Sequence, residues 1–228
     1  SQELAKSIKN NVRNWLTGAG AIFGLIGMAA GWLIGSLFND SEEEKLEKAM
    51  NKEFEELFQK LIARPLGMKS SHFTPVNTDG GHAPMLGGGL CTTLHDYMRF
   101  LDMIYHNGVF EEKQILKPET IHEMQADQVG NAEVHPGEYV ERALKKYHTG
   151  IYGLGEWREL IDEATGEAYQ ISSPGWAGAY PWINKQGRVY GFFIAHVQGS
   201  SQKEDGFSSF YGSPVISQTV SNIISLKR

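Results

Sequence analysis

From Asn14 to Asn39 the chain carries no charged residue, and this run constrains the fold more than any other feature. Its centre, Gly18 to Phe38, is long enough to cross a bilayer as a helix. Gly20 and Gly24, then Gly27, Gly31 and Gly35, recur at a spacing that lets helix backbones approach closely. Lys6, Lys9 and Arg13 precede the run and acidic residues follow it, which suits an N-terminus held in the cytoplasm. The same run also reads as a core helix, apolar on all sides. It is too long and glycine-rich for the apolar region of a secretory signal, and neither a start methionine nor a cleavage pattern frames it. An anchor and a core helix both stay open.

The remainder is globular in composition. Of 228 residues 41% are hydrophobic, with eleven Phe, nine Tyr and five Trp, so a sizeable core can be buried. A net charge of −6 argues against nucleic acid as a partner, because phosphate binding needs a basic face. Cys91 is the one cysteine, which excludes an internal disulfide and a cysteine metal cluster. Its apolar, threonine-flanked setting predicts a small buried hydrophobe. His82, His95, His106, His122, His135 and His196 show no metal-ligand spacing, and no cofactor is expected.

Two parts are expected: residues 1–52, an atypical helical lead, and residues 53–228. Ser41 with Glu44 forms a capping box opening a charged helical segment. Phe54, Leu57, Phe58, Leu61 and Ile62 then repeat at helical spacing, and Arg64-Pro65 is expected to end that helix. Glu53, Glu55 and Glu56 read as its wet face. Thr93 caps a second helix with Asp96 as the reciprocal partner. Its buried face is Leu94, Tyr97, Met98, Leu101 and Tyr105, and Asn107-Gly108 stops it. Pro118 opens a short helix to about Gln125. Tyr180–Asn184 and Arg188–Val197 read as strands joined by a turn at Lys185-Gln186-Gly187. A last helix is expected from about Pro214 to Leu226, with Val215, Ile216, Val220, Ile223 and Ile224 as its apolar positions.

Four segments, in order, resemble one family. FEELFQKLIARPLGMKSSHF (Phe54 to Phe73) is similar to the helix and PLGM turn of the penicillin-binding protein, class C beta-lactamase and esterase superfamily. PMLGGGLCTTLHDYMRFLDMI (Pro84 to Ile104) is similar to its glycine-rich entry and the helix that follows. YGLGEW (Tyr152 to Trp157) is similar to its YGLGW strand. SSPGWAGAYPWINKQGRVYGFFIAHV (Ser172 to Val197) is similar to the strand pair carrying its third active-site motif. The resemblance implies an α/β (α+β) fold, an antiparallel sheet flanked by helices in the beta-lactamase/transpeptidase style, incomplete on its N-terminal side. It also implies a serine hydrolase acting on small-molecule or peptide acyl substrates: esters, amides or peptidoglycan-like peptides.

That chemistry uses a Ser-x-x-Lys nucleophile, a Tyr-x-Asn or Ser-x-Asn, and a glycine-bearing strand. Trp176-Ala177-Gly178 falls where Trp-Gly-Gly would lie, and the resemblance makes Trp176, Ala177, Gly178 and Tyr180 substrate-binding candidates. Alanine in the middle departs from the pattern, and no Lys or His takes the first position. Trp176, Tyr180 and Trp182 read equally as core packing between sheet and helices. The first two motifs should precede Phe54. Trp15-Leu16-Thr17-Gly18, where the second would fall, holds no Tyr-x-Asn, and Ser1 and Ser7 lack a lysine three residues on. Ser200-Ser201-Gln202-Lys203 matches Ser-x-x-Lys but follows the last strand in a Gly- and Ser-rich loop. It reads as coincidence, leaving Ser200 and Lys203 as the fallback catalytic pair. His148-Thr149-Gly150 imitates the third motif one element too early.

The expectation is a fragment of an acyl-serine hydrolase, or a chain inactive as given. The alternatives are a non-catalytic binding module of the same fold, tethered to a membrane through Gly18–Phe38 or bound to a partner, and a truncated or engineered chain. An exported, periplasmic or membrane-anchored location is expected ahead of a cytoplasmic one. Substrate and oligomeric state are not legible.

Overall fold

Proline at residue 65 does not end the first helix. In the computed structural model, which describes residues 54–73, 89–133, 150–175, 178–194 and 209–226, α1 (Phe54–Phe58) runs into a π-helical turn, Gln59–Ala63, and then α2 (Arg64–Leu66). Proline lacks an N–H and its ring would press on the carbonyl four residues back. The wider π turn carries the chain past it, with Arg64 N–H donating to Gln59 O. The stop comes at Gly67, whose φ of 67° is the left-handed conformation glycine adopts freely. Met68 N–H then closes the end by donating to Ala63 O at 2.8 Å. Glu55 is half-buried rather than merely wet, since Oε2 accepts from Phe73 N–H at 2.8 Å. The uncharged run and the Ser41–Glu44 cap lie outside the described residues, as does the boundary expected at residue 52. Among the described residues no helix is long and apolar enough to cross a membrane.

A short ladder, β1 (His72–Phe73) with β2 (Leu90–Cys91), leads into α3 (Leu94–Tyr105). Successive strand residues face opposite sides. Leu90 packs on the core, so Cys91 turns outward and is exposed, contrary to the buried position expected of it. Thr93 Oγ1 caps α3 by accepting from Asp96 N–H at 3.2 Å. The reciprocal bond is not made. Asp96, buried, instead accepts from Ser70 N–H at 2.7 Å and Ser71 Oγ at 2.9 Å, bolting α3 to the chain after Gly67. The core stripe of α3 is rotated accordingly: Tyr97, Phe100, Leu101, Met103 and Ile104 are buried, while Leu94 is 56% exposed.

Asn107 and Gly108, both at positive φ, end α3 as expected. The hairpin β3 (Val109–Phe110) and β4 (Lys113–Gln114) follows, then α4 (Pro118–Gln125). The main sheet is a four-stranded antiparallel meander in the order β5 (Trp157–Ile161), β6 (Ala168–Ser172), β7 (Ala179–Asn184), β8 (Val189–Ile194). Tyr152 makes only an isolated bridge to Trp157, so Tyr152–Glu156 is a turn and the strand starts at Trp157.

Alternation along β7 sorts the two faces of the sheet. Phe192, paired with Pro181, stacks on Tyr97 of α3 at 4.6 Å between ring centroids. Tyr190, paired with Ile183, donates its hydroxyl to Asp102 of the same helix. Tyr180, Trp182 and Asn184 point the other way, toward α5 (Ser209–Ser225), which begins ahead of Pro214. Helix α5 presses serines on the sheet: Ser217 and Ser221 are buried, whereas Val215 and Ile223 are 65% and 49% exposed. Small side chains let the helix sit close to a face that already carries Tyr180 and Trp182.

Candidate active site

The connection from β6 to β7 is a tight turn. Ser173 N–H donates to Pro181 O at 3.0 Å, Gly175 N–H to Ala179 O at 2.7 Å, and Gly178 N–H to Gly175 O at 3.0 Å. Gly178, at the head of β7, holds φ at 99°, a conformation that strains any residue with a Cβ. Gly178 is buried. Trp176 and Ala177 lie outside the described residues, as do Ser200, Lys203 and His196.

Behind this turn the aromatic side chains are core. Tyr180 is fully buried, Trp182 is 6% exposed, and their rings stack at 5.6 Å. The Tyr180 hydroxyl is aimed into the space under α5, donating to Glu159 Oε2 at 2.8 Å and lying 3.2 Å from Ser217 Oγ. Burial, with Glu159 beside it, pushes its pKa well above the usual tyrosine range. Glu159 also accepts from Gln170 Nε2 at 2.7 Å and from Ser172 Oγ. Asn184 extends the network, donating to Gln170 Oε1 at 2.8 Å. Sequence reading missed Glu159 because adjacent Arg158 and Glu159 break the alternation that would have marked β5 as a strand.

On the other face, Glu156 was missed as well. It lines an apolar cavity of about 40 Å3 with Tyr97, Met124, Ile171 and Ile183, room for a water molecule. Among the described residues its Oε1 has no hydrogen-bond partner. Burial raises its pKa well above the carboxylate range, and Lys185 and Arg158 offset this only in part. Burial therefore favours its neutral form.

Arg158 is 4% exposed and donates to three carbonyls, from Nε to Gln125 O at 3.0 Å and through its two terminal nitrogens to Gly150 O and Gly166 O. It ties α4 to the β5–β6 hairpin. Lys185, at the far end of β7 from Gly178, donates to Gln125 Oε1 at 2.6 Å on the edge of an open groove of about 580 Å3.

With the turn and its strands placed, comparison with known proteins decides the family. The beta-lactamase family profile matches residues 43–207. The chain belongs to the beta-lactamase family. A crystal structure from Bacteroides dorei DSM 17855, described as a candidate beta-lactamase, is 75% identical and superposes with a TM-score of 0.71. The match covers 80% of this chain and 55% of that one, so the chain spans about half the length of this relative. A beta-lactamase from Mycobacterium bovis is 16% identical with a TM-score of 0.53, covering 96% of this chain and 83% of that one, and shares the fold. A penicillin-binding protein homolog from Caulobacter crescentus is 15% identical with a TM-score of 0.47, covering 68% of this chain and 50% of that one. No curated protein matches. Helices around an antiparallel sheet are the beta-lactamase arrangement, and the resemblance read from the four segments stands.

Proposed function

We propose that this chain forms the sheet-side wall of an acyl-serine hydrolase site and does not turn substrate over by itself. The observation that carries the reading is the turn at Gly178. A left-handed glycine stands at the head of β7, where the family's third motif falls. Glycine there admits close approach of a substrate backbone. In the motif Trp176-Ala177-Gly178, alanine stands where Trp-Gly-Gly has its first glycine. With no Lys or His in the first position, the segment contributes shape and backbone donors rather than a cation. Tyr180 acts from behind the turn, by holding the strand. Substrates of this class are esters, amides or peptidoglycan-like peptides, without metal or cofactor, and an exported or periplasmic setting fits them.

The nucleophile is the missing part. Splitting acyl transfer into two steps needs a serine activated by an adjacent base. Ser200 with Lys203 is the one Ser-x-x-Lys among the 228 residues, and the one Tyr-x-Asn, Tyr105-His106-Asn107, closes α3 at its positive-φ stop rather than following a Ser-x-x-Lys helix. Binding without turnover is consistent with this, because oxyanion donors contribute independently of the nucleophile. The test is a titration of penicillin and a short-chain ester into 15N-labelled protein. Saturable shifts at the amides of Gly175, Gly178 and Ala179 are expected. Shifts confined to other residues, or none at all, would overturn the assignment.

A further inference from the structure

Glu159 occupies a break in the pairing of β5 with β6. The register runs Arg158–Ile171 and then Leu160–Gln170, so Glu159 is the extra residue on β5. A bulge interrupts alternation and re-aims a side chain. Here the carboxylate is aimed at both ends of the turn that carries Gly178. Oε1 accepts from Ser172 Oγ, on the last residue of β6, where the chain enters the turn. Oε2 accepts at 2.8 Å from the hydroxyl of Tyr180, the second residue of β7, where the chain leaves it. Gln170 Nε2 donates to the same Oε2 at 2.7 Å and to Ser217 Oγ at 3.3 Å, joining α5 to the arrangement.

We propose that Glu159 is a positioning residue for the candidate site: by holding Ser172 and Tyr180 on one carboxylate, it fixes the span of the turn and with it the left-handed conformation of Gly178. Three donors converge on this group. A carboxylate accepts through both oxygens, whereas an amide at the same place presents an N–H to one of the donors. Partly burying a charged group is costly unless hydrogen bonds compensate. An aliphatic residue would fill the space at less cost but leave the hydroxyls of Ser172 and Tyr180 without this acceptor. The bulge delivers a carboxylate there, and the element it constrains most directly is the turn between those two hydroxyls. The geometry stands on its own; its bearing on catalysis rests on the reading of Gly178 as part of the substrate wall.

The experiment compares the full chain with Glu159→Gln, Tyr180→Phe and Ser172→Ala by residue-resolved hydrogen exchange, with Tm recorded alongside. Glu159→Gln is expected to speed exchange at Gly175 and Gly178 by about tenfold or more while Val189 and Gly191 of β8, opposite Asn184 and Trp182, keep their protection. Tyr180→Phe, which keeps the ring and its packing, is expected to give part of that effect, and so keeps the proposal open to test if the Gln variant does not fold. Ser172→Ala should act in the same direction. Uniform loss of protection across the sheet would reduce Glu159 to a general stabilising contact and overturn the proposal, as would unchanged exchange at Gly175 and Gly178. Ligand titration of the wild-type chain reports separately: a turn that loosens in Glu159→Gln but never shifts with penicillin or ester leaves the positioning role intact and removes the substrate wall.

Discussion

The indole of Trp182 rests on Gly191, its cross-strand partner on β8, so closely that a Cβ at residue 191 would stand 2.5 Å from Trp182 Cζ2. Glycine is required here by packing rather than by backbone conformation. Gly191→Ala should therefore destabilise the fold by about 1–3 kcal/mol through overpacking. A denaturant melt would read this as a lower midpoint with an unchanged slope. An unaltered midpoint would mean that Trp182 is free to move aside, which its stacking on Tyr180 argues against.

Glu156 makes stability depend on pH in a defined direction. Its folded pKa is raised above the ordinary 4.5, chiefly by burial, against the opposing pull of Lys185 and Arg158. Below about 4.5 both folded and unfolded chains hold the proton, and the folded state carries no penalty. As pH rises, the unfolded chain gains by ionising and the folded chain does not, so stability is lost until the folded pKa is passed. Glu156→Gln removes this dependence. Melts from pH 4 to 8 should show the variant's advantage over wild type growing with pH; a constant difference would mean that Glu156 is already ionised in the core.

Asp96 and Thr93 separate a cross-chain bolt from a cap. Asp96→Ala strips an acceptor from Ser70 N–H and Ser71 Oγ in a buried setting and should cost about 2 kcal/mol or more. Thr93→Ala removes only the cap on Asp96 N–H and should cost about 1 kcal/mol. Equal losses by chemical denaturation would contradict the assignment of Asp96 to the bolt.

These residues also mark what the sequence made legible. Features set by neighbours along the chain were readable: the Thr93 cap, the Asn107-Gly108 stop, the start at Pro118, and the β7–β8 hairpin. So was the family, because four short motifs occur in order. Long-range contacts were not readable. Asp96 sat at a capping spacing yet bonds back to Ser70 and Ser71. Pro65 looked like a terminator until a π turn accommodated it. Strands β5 and β6 went unnoticed because Arg158 and Glu159, inside a strand, break the alternation of apolar and polar residues, and their partners lie on other elements. In α5 the apolar positions expected to pack include Val215 and Ile223, but the sheet already carries bulky aromatics there and takes Ser217 and Ser221 instead. Of the candidate site, Gly178 is proposed from its motif and Glu159 from geometry alone.

The central claim is that this chain holds the sheet side of an acyl-serine site without an activated nucleophile. Intact-mass analysis after incubating the purified chain with a fluorescent phosphonate, a penicillin probe and a chromogenic ester tests it most directly. The account predicts unmodified protein and no ester turnover above the buffer rate. Stoichiometric labelling of one serine, abolished when that serine becomes alanine, would contradict it, and Ser200, with Lys203 at the required spacing, is the first residue to substitute.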